Sequence, residues 1–297
     1  MANNTGDAMD WLRRAEQLRE TGSKGGDLEE EAYVNALALI PQSGEAHFYY
    51  GNLLRDQGRI LEAAEHYKAA TELLPDNESI WINYGNLLQN ASRLMESEQQ
   101  YRTVLALNPA NPRGHYNLGK ALGAQGRVDE AEHHWRAAID VNPEYTDAMC
   151  NLAGLLFDQA RYAEADDLLR VAVRLSPNDP EIHYNYARTG SHVGFLEAPL
   201  GGTPDHHFQR ALELRPNFPQ AHYHYANYLD RFRRAQEAEQ HYREALRLAP
   251  GYALAHYGFG EFLKKQVRGA EALAQFREAY RLDPSDEDYR RAALGGG

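Results

Sequence analysis

The chain has 297 residues, 43% hydrophobic and 25% charged, a balance that suits a folded protein and argues against disorder. Its formal net charge of −12 opposes a phosphate backbone, so no nucleic acid partner is expected. The single cysteine, Cys150, allows no internal disulfide, and no run of about 18 apolar residues is present to insert into a membrane; a reducing, cytoplasmic compartment is expected.

Residues 1–9 are polar, lack the basic and apolar parts of a secretory signal, and are expected to form a disordered N-terminus. Over 10–43 only the second half, Asp27 to Ile40, has a clear helical pattern. Ser23-Lys24-Gly25-Gly26 before it lacks phosphate-loop spacing and reads as a linker. From Gly44 onward the sequence is periodic. Pro41, Pro75, Pro109, Pro143, Pro177, Pro216, Pro250 and Pro284 each close an apolar segment and follow one another at 34 residues, with one gap of 39. Proline has no N–H to donate and cannot continue a helix, so these are helix stops. Seven helix-turn-helix units result: 44–77, 78–111, 112–145, 146–179, 180–218, 219–252 and 253–286. Their first helices carry a large–small pair such as Tyr50-Gly51, Tyr84-Gly85 or Phe259-Gly260, where the small residue admits a neighbouring helix. Their second helices carry Tyr67, Tyr101, Trp135, Leu169, Phe208, Tyr242 or Phe276, with a small residue three positions later. Turns such as Gln57-Gly58-Arg59 and Gln125-Gly126-Arg127 join the two. Unit 180–218 has five extra residues within 195–204; Pro199, Gly201, Gly202 and Pro204 should delay its second helix to about Asp205 and create a weak point. Residues 287–297 can form a short capping helix and a tail.

Paired large and small residues at fixed offsets, closed by a proline, resemble the tetratricopeptide repeat (TPR). The resemblance implies an all-α TPR α-solenoid, a right-handed superhelix of helix-turn-helix repeats over 44–286 with a degenerate repeat at 10–43. It also implies a non-catalytic chain whose partner is a protein or peptide. One departure is consistent: the family's early first-helix tryptophan survives only as Trp81, and His47, His115, His183, His222 and His256 replace it elsewhere.

No nucleophile elbow, P-loop, zinc-protease helix or dinucleotide fingerprint occurs, so no catalytic residue or cofactor is expected. The thirteen histidines invite a metal reading. Most lie one repeat apart, roughly 8–10 Å between stacked helices, too far for shared coordination. His206-His207 and His222-x-His224 are closer, yet no cysteine or carboxylate set completes a site, and none is expected.

Just before the large–small pair stand Asn83, Asn117, Asn151 and Asn185, in four consecutive repeats. Asparagine is a mediocre helix former, so four in register need either bonds between repeats or a ligand. One residue earlier run Phe48, Ile82, Tyr116, Cys150, Tyr184, Tyr223 and Tyr257; one turn later run Asn52, Asn86, Lys120, Gly154, Arg188, Asn227 and Glu261. The array is similar to the TPR superhelix of O-GlcNAc transferase, whose groove asparagines hold extended polypeptide; the transferase's catalytic domain has no counterpart here. That resemblance implies a peptide-binding concave groove built from Asn83, Asn117, Asn151, Asn185, Tyr116, Tyr184, Tyr223, Tyr257, Asn52, Asn86, Lys120, Arg188 and Asn227. For a chaperone-tail clamp only Lys120 and Arg113 are in place. A peptide-binding adaptor is the leading expectation. The alternative is a structural or assembly subunit held by its solenoid ends or convex face, with self-association through the ends.

Overall fold

The computed structural model describes residues 2–20, 26–193 and 202–295, and every regular element among them is a helix. Helices α1 (Ala2–Glu20) and α2 (Asp27–Leu39) come first. Pairs follow: α3 (Gly44–Asp56) with α4 (Ile60–Leu73), α5 (Glu78–Asn90) with α6 (Leu94–Leu107), and α7 (Pro112–Ala124) with α8 (Val128–Val141). Next are α9 (Thr146–Asp158) with α10 (Tyr162–Leu175), and α11 (Pro180–Val193) with α12 (Pro204–Leu214). The last are α13 (Pro219–Arg231) with α14 (Ala235–Leu248), α15 (Ala253–Lys265) with α16 (Gly269–Leu282), and α17 (Glu287–Leu294). The chain divides into two compact units, Met1–Asn151 and Leu152–Gly297, the division falling inside α9. No helix among the described residues is long and apolar enough to cross a membrane.

The disordered start expected over 1–9 is corrected: α1 begins at Ala2. Its apolar residues Ala8, Trp11, Leu12 and Ala15 recur at helical spacing across the supposed boundary, so neither half alone shows the period. Ala8 and Ala15 are buried, and Trp11 and Leu12 pack on a cluster that includes Tyr33, Tyr50 and Tyr67. Packing, more than propensity, holds this helix. Most of the 195–204 insert lies outside the described residues. The helix after it, α12, starts at Pro204, with the Thr203 hydroxyl accepting from the His206 N–H.

First helices begin on short polar caps. Ser43, Asn77 and Asn111 accept from the N–H groups of Ala46, Ser79 and Gly114 at 3.2, 3.1 and 2.8 Å. They end in a closing turn in which the N–H of Arg59, Arg93, Arg127, Arg161, Arg234 or Arg268 donates to a leucine carbonyl five residues back. That turn needs one residue in the left-handed region. Gly58 and Gly126 adopt it freely, but Ser92, Ala160, Arg233 and Val267 adopt it too, with φ near 60°.

Within a repeat, the second helix lays a ring on the first helix's glycine. A Cβ at Gly85 would meet the Tyr101 ring at 2.5 Å, and one at Gly119 would meet Trp135 at 2.6 Å. Between repeats, the same turn arginines act as pins. Arg59 reaches back to Glu30, Arg127 to Glu98, Arg234 to Asp205 and Arg268 to Glu239, at 2.6–2.8 Å, while gripping a glutamate three residues ahead. Each of these pins joins neighbouring second helices and is partly shielded from water.

Two substitutions separate packing from propensity. Gly85→Ala should lower the urea midpoint, because Tyr101 is fully buried and its hydroxyl is bonded, so overpacking of about 1–3 kcal/mol exceeds the propensity gain of about 1 kcal/mol. Val267→Gly should raise the midpoint, with a gain in stability of about 1 kcal/mol, since the side chain is 91% exposed and only its left-handed strain is removed.

Candidate peptide-binding face

The first helices present two rows of polar side chains, and the structure treats them differently. In the row one turn past the glycine, Asn52 accepts from the Tyr67 hydroxyl at 2.7 Å, Asn86 from Tyr101 at 2.7 Å and Asn227 from Tyr242 at 2.5 Å. Where the second helix carries Trp135, Leu169, Phe208 or Phe276, this row holds Lys120, Gly154, Arg188 or Glu261 instead. An amide stands where a buried hydroxyl needs an acceptor, and nowhere else in the seven repeats. These three asparagines are locks between the two helices of a repeat. Reading the sequence row by row misses the link; reading it at an offset of fifteen residues exposes it.

The other row has few internal obligations. Asn83, Asn117 and Asn185 make no hydrogen bond to the described residues. Asn83 and Asn185 are partly exposed. Asn117 is only 8% exposed, yet its amide atoms still reach solvent. Asn151 alone has a neighbour, the Tyr116 hydroxyl of the preceding repeat, a contact that opposes the upward push of burial on that phenol. Bonding between repeats therefore accounts for one amide of the four.

The tyrosine band is largely packing. Tyr184 and Tyr223 are buried, against Phe218 with ring centroids 4.9 Å apart and against Tyr252 at 5.5 Å. Tyr116 and Tyr257 are partly exposed, each beside a further tyrosine at 5.0 Å, and Lys120 stands 5.5 Å over the Tyr116 ring. In the first unit, Asn52 and Asn83 come together in a cavity of about 330 Å³ with Arg19, Tyr49, Arg55 and Asp56. Arg188 and Asn227 line a different cavity, in the second unit.

Residues 51–91 and 93–126 match the family model described as TPR repeat, and residues 116–180 and 206–253 match the one described as tetratricopeptide repeat. The chain belongs to the tetratricopeptide-repeat family. No curated protein matches its sequence. Among solved structures, it is similar to that of pilF from Pseudomonas aeruginosa, with 19% identity, a TM-score of 0.60, and coverage of 72% of this chain and 95% of that one. A TPR protein from Parabacteroides merdae aligns at 16% identity and a TM-score of 0.66, over 86% of this chain and 99% of that one. The APC/C hetero-tetramer Cut9-Hcn1 aligns at 13% and 0.70, over 96% of this chain but only 55% of that one. Identities this low show a shared fold. The TPR fold is one of protein–protein interaction and adaptor roles.

The TPR assignment makes sense of the histidines. Trp81, in the family's usual place, donates its ring N–H to the Pro75 carbonyl at 2.7 Å. His47, His115, His183, His222 and His256 do the same with Nε2, donating to Pro41, Pro109, Pro177, Pro216 and Pro250 at 2.9–3.1 Å. Either ring satisfies a carbonyl left over at the end of the preceding helix. Nδ1 of the histidine then faces Nδ1 of a second-helix histidine: His47–His66, His115–His134, His183–His207 and His222–His241, at 2.8–3.0 Å. A carbonyl only accepts, so the first ring carries its proton on Nε2 when neutral and accepts at Nδ1. Its partner must therefore donate from Nδ1, and two charged rings cannot face each other this way. Among the described residues, no group of three or more histidine, cysteine or carboxylate side chains is arranged to hold a metal.

Burial first, and then the partner ring, holds His66, His134 and His241 down to about 4. The unfolded chain takes up protons below the usual histidine value of about 6.5, and the folded chain only nearer 4. Stability is thus complete above about pH 6.5 and is lost as pH falls from there toward 4. The urea midpoint should drop between about pH 7.5 and about pH 5. The triple variant His66→Gln, His134→Gln, His241→Gln should flatten that drop, glutamine being the residue already paired with His256 at Gln275.

Proposed function

We propose that this TPR protein holds an extended polypeptide on the first-helix face of its repeats, with Asn83 and Asn117 of the first unit gripping the ligand main chain; Asn185 presents the same kind of amide within the second unit. One observation carries the reading. These amides have no internal hydrogen bond to the described residues, while the asparagines one turn further along are each bonded to a tyrosine. An asparagine inside a helix that bonds nothing costs propensity and returns nothing to the fold. One amide both donates and accepts, so it matches the N–H and C=O of a passing peptide unit without reading its side chain. Repeats about 10 Å apart correspond to roughly three residues of extended chain. Arg19, Arg55 and Asp56 beside Asn83 add charge to one end of the first unit's face.

A second reading, an assembly subunit held by its outer face, has one observation in its favour. Leu61 of α4 and Met95 of α6 are 77% and 70% exposed in adjacent repeats.

The double variant Asn83→Ala, Asn117→Ala decides for or against the amide grip. A peptide recovered by display selection on the intact protein should bind about tenfold more weakly, from loss of up to four hydrogen bonds. The thermal midpoint should hold or rise, alanine being the better helix former. Asn52→Ala should do the opposite: it strands the Tyr67 hydroxyl and costs about 1 kcal/mol of stability with little change in binding. Unchanged affinity in the double variant would remove the amides from the ligand and leave the assembly reading.

A further inference from the structure

The second unit encloses a cavity of about 320 Å³ that the asparagine row does not reach. Its polar lining includes Arg188 and His192 of α11 and His224 and Arg231 of α13; its aromatic wall includes Phe157 of α9 and Tyr228 of α13. No carboxylate is among the described lining residues, in a chain whose net charge is −12.

Three acids on the helices of this unit are engaged in ion pairs of their own. Asp205 is held by Arg234 at 2.6 Å, Asp230 by Lys265 at 2.7 Å and Glu181 by Arg215 at 2.7 Å. Arg188 and Arg231, in contrast, form no ion pair with the described residues. Arg231 donates only to the Ser191 carbonyl, at 2.7 Å. Arg188 lies with its guanidinium 4.0 Å over the Phe157 ring, and its Nε is buried without an acceptor. Leaving a guanidinium N–H dry and unpaired is costly unless something else supplies the acceptor. The His192 ring is fixed at the rim, its Nδ1–H donating to the Arg188 carbonyl at 3.0 Å. His224 is kept neutral, held down to about 3 by burial first and then by Arg188 and His192, so it offers polarity without a further charge.

We infer that this cavity is a binding site for an aryl phosphate monoester, the chemistry of a phosphotyrosine side chain on a partner protein. Two guanidiniums with no ion-pair partner among the described residues call for a ligand with two negative charges and several acceptor oxygens; a carboxylate would neutralise only one of them. The volume is far larger than an inorganic ion and falls in the range of small-molecule pockets. Phe157 and Tyr228 line the cavity with aromatic surface for an aryl body, and the Arg188 guanidinium, 4.0 Å over the Phe157 ring, stands in the same cavity as the charge a phosphate would need. The site is independent of the asparagine grip: the side chains differ, and each reading survives failure of the other.

Titration of the intact protein with phenyl phosphate, by calorimetry and by ³¹P resonance shift, tests the assignment. Inorganic phosphate and benzoate serve as the comparison ligands. Phenyl phosphate should bind one to one and about tenfold or more tighter than either comparison ligand, and Arg188→Gln and Arg231→Gln should each weaken it by about tenfold. Arg231 is exposed, so its variant keeps the test valid if Arg188→Gln disturbs folding. Benzoate binding as well as phenyl phosphate would make this a carboxylate site. Inorganic phosphate binding as well would make it an ion site without an aryl pocket. No saturable binding, or binding untouched by both substitutions, would overturn the proposal outright.

Discussion

A buried ring pressed against a helix that has no side chain at the point of contact sets the geometry of these repeats. Tyr101 on Gly85, Trp135 on Gly119 and Phe276 on Gly260 leave no room for a methyl group. Glycine inside a helix costs about 1 kcal/mol, but burying an aromatic side chain returns about 1.5–3 kcal/mol, so the arrangement is favourable once the second helix is present. The close approach also fixes where the far ends of the side chains land. The hydroxyls of Tyr67 and Tyr101, whose rings sit on Gly51 and Gly85, arrive at an asparagine one turn along the first helix, as does that of Tyr242, whose repeat carries Ala226 in place of glycine. Both the stability of a repeat and the placing of its polar row descend from that contact.

A polar layer joins one repeat to the next. The helix-ending proline leaves a carbonyl that the following first helix must satisfy, and an imidazole or an indole at one position does so. Using imidazole adds a second nitrogen, and that nitrogen recruits a partner ring from the second helix. One carbonyl left over past the end of a helix thus leads to histidine pairs that tie three helices together, and to a fold whose strength depends on pH. The turn arginines add a second seam at the same joints, reaching across to the preceding second helix while holding a glutamate in the first turn of their own.

Much of this was legible in the sequence because it is periodic. The proline ladder, the large–small pairs and the capping helix at Glu287 each recur or follow from residue type at known spacing. The start of α1 was not legible, since its apolar stripe of Ala8, Trp11, Leu12 and Ala15 is a single copy with a tertiary partner in Tyr33. Nor was the pairing of His47 with His66, whose 19-residue separation means nothing until the angle between two helices is known. The turn residues Ser92 and Val267 gave no sign of their left-handed backbone, because the packed helices on either side impose it. The asparagine rows looked alike in the sequence and differ only in what the second helix places beside them. The cationic cavity gathers side chains from separate helices, so no local motif marks it.

The amide–hydroxyl locks have a consequence for how such a chain can change over time. Asn52 with Tyr67, Asn86 with Tyr101 and Asn227 with Tyr242 are matched inside a repeat, fifteen positions apart. A genetic exchange that cuts between repeats carries both halves of a match along together. One that cuts between the two helices can set a tyrosine beside Gly154 or Lys120, stranding a hydroxyl in the interior, or an asparagine beside Phe276. Recombination is therefore tolerated in whole units that open on a first helix. The phase of the repeat, which periodicity alone leaves arbitrary, is set by which helices share a bond.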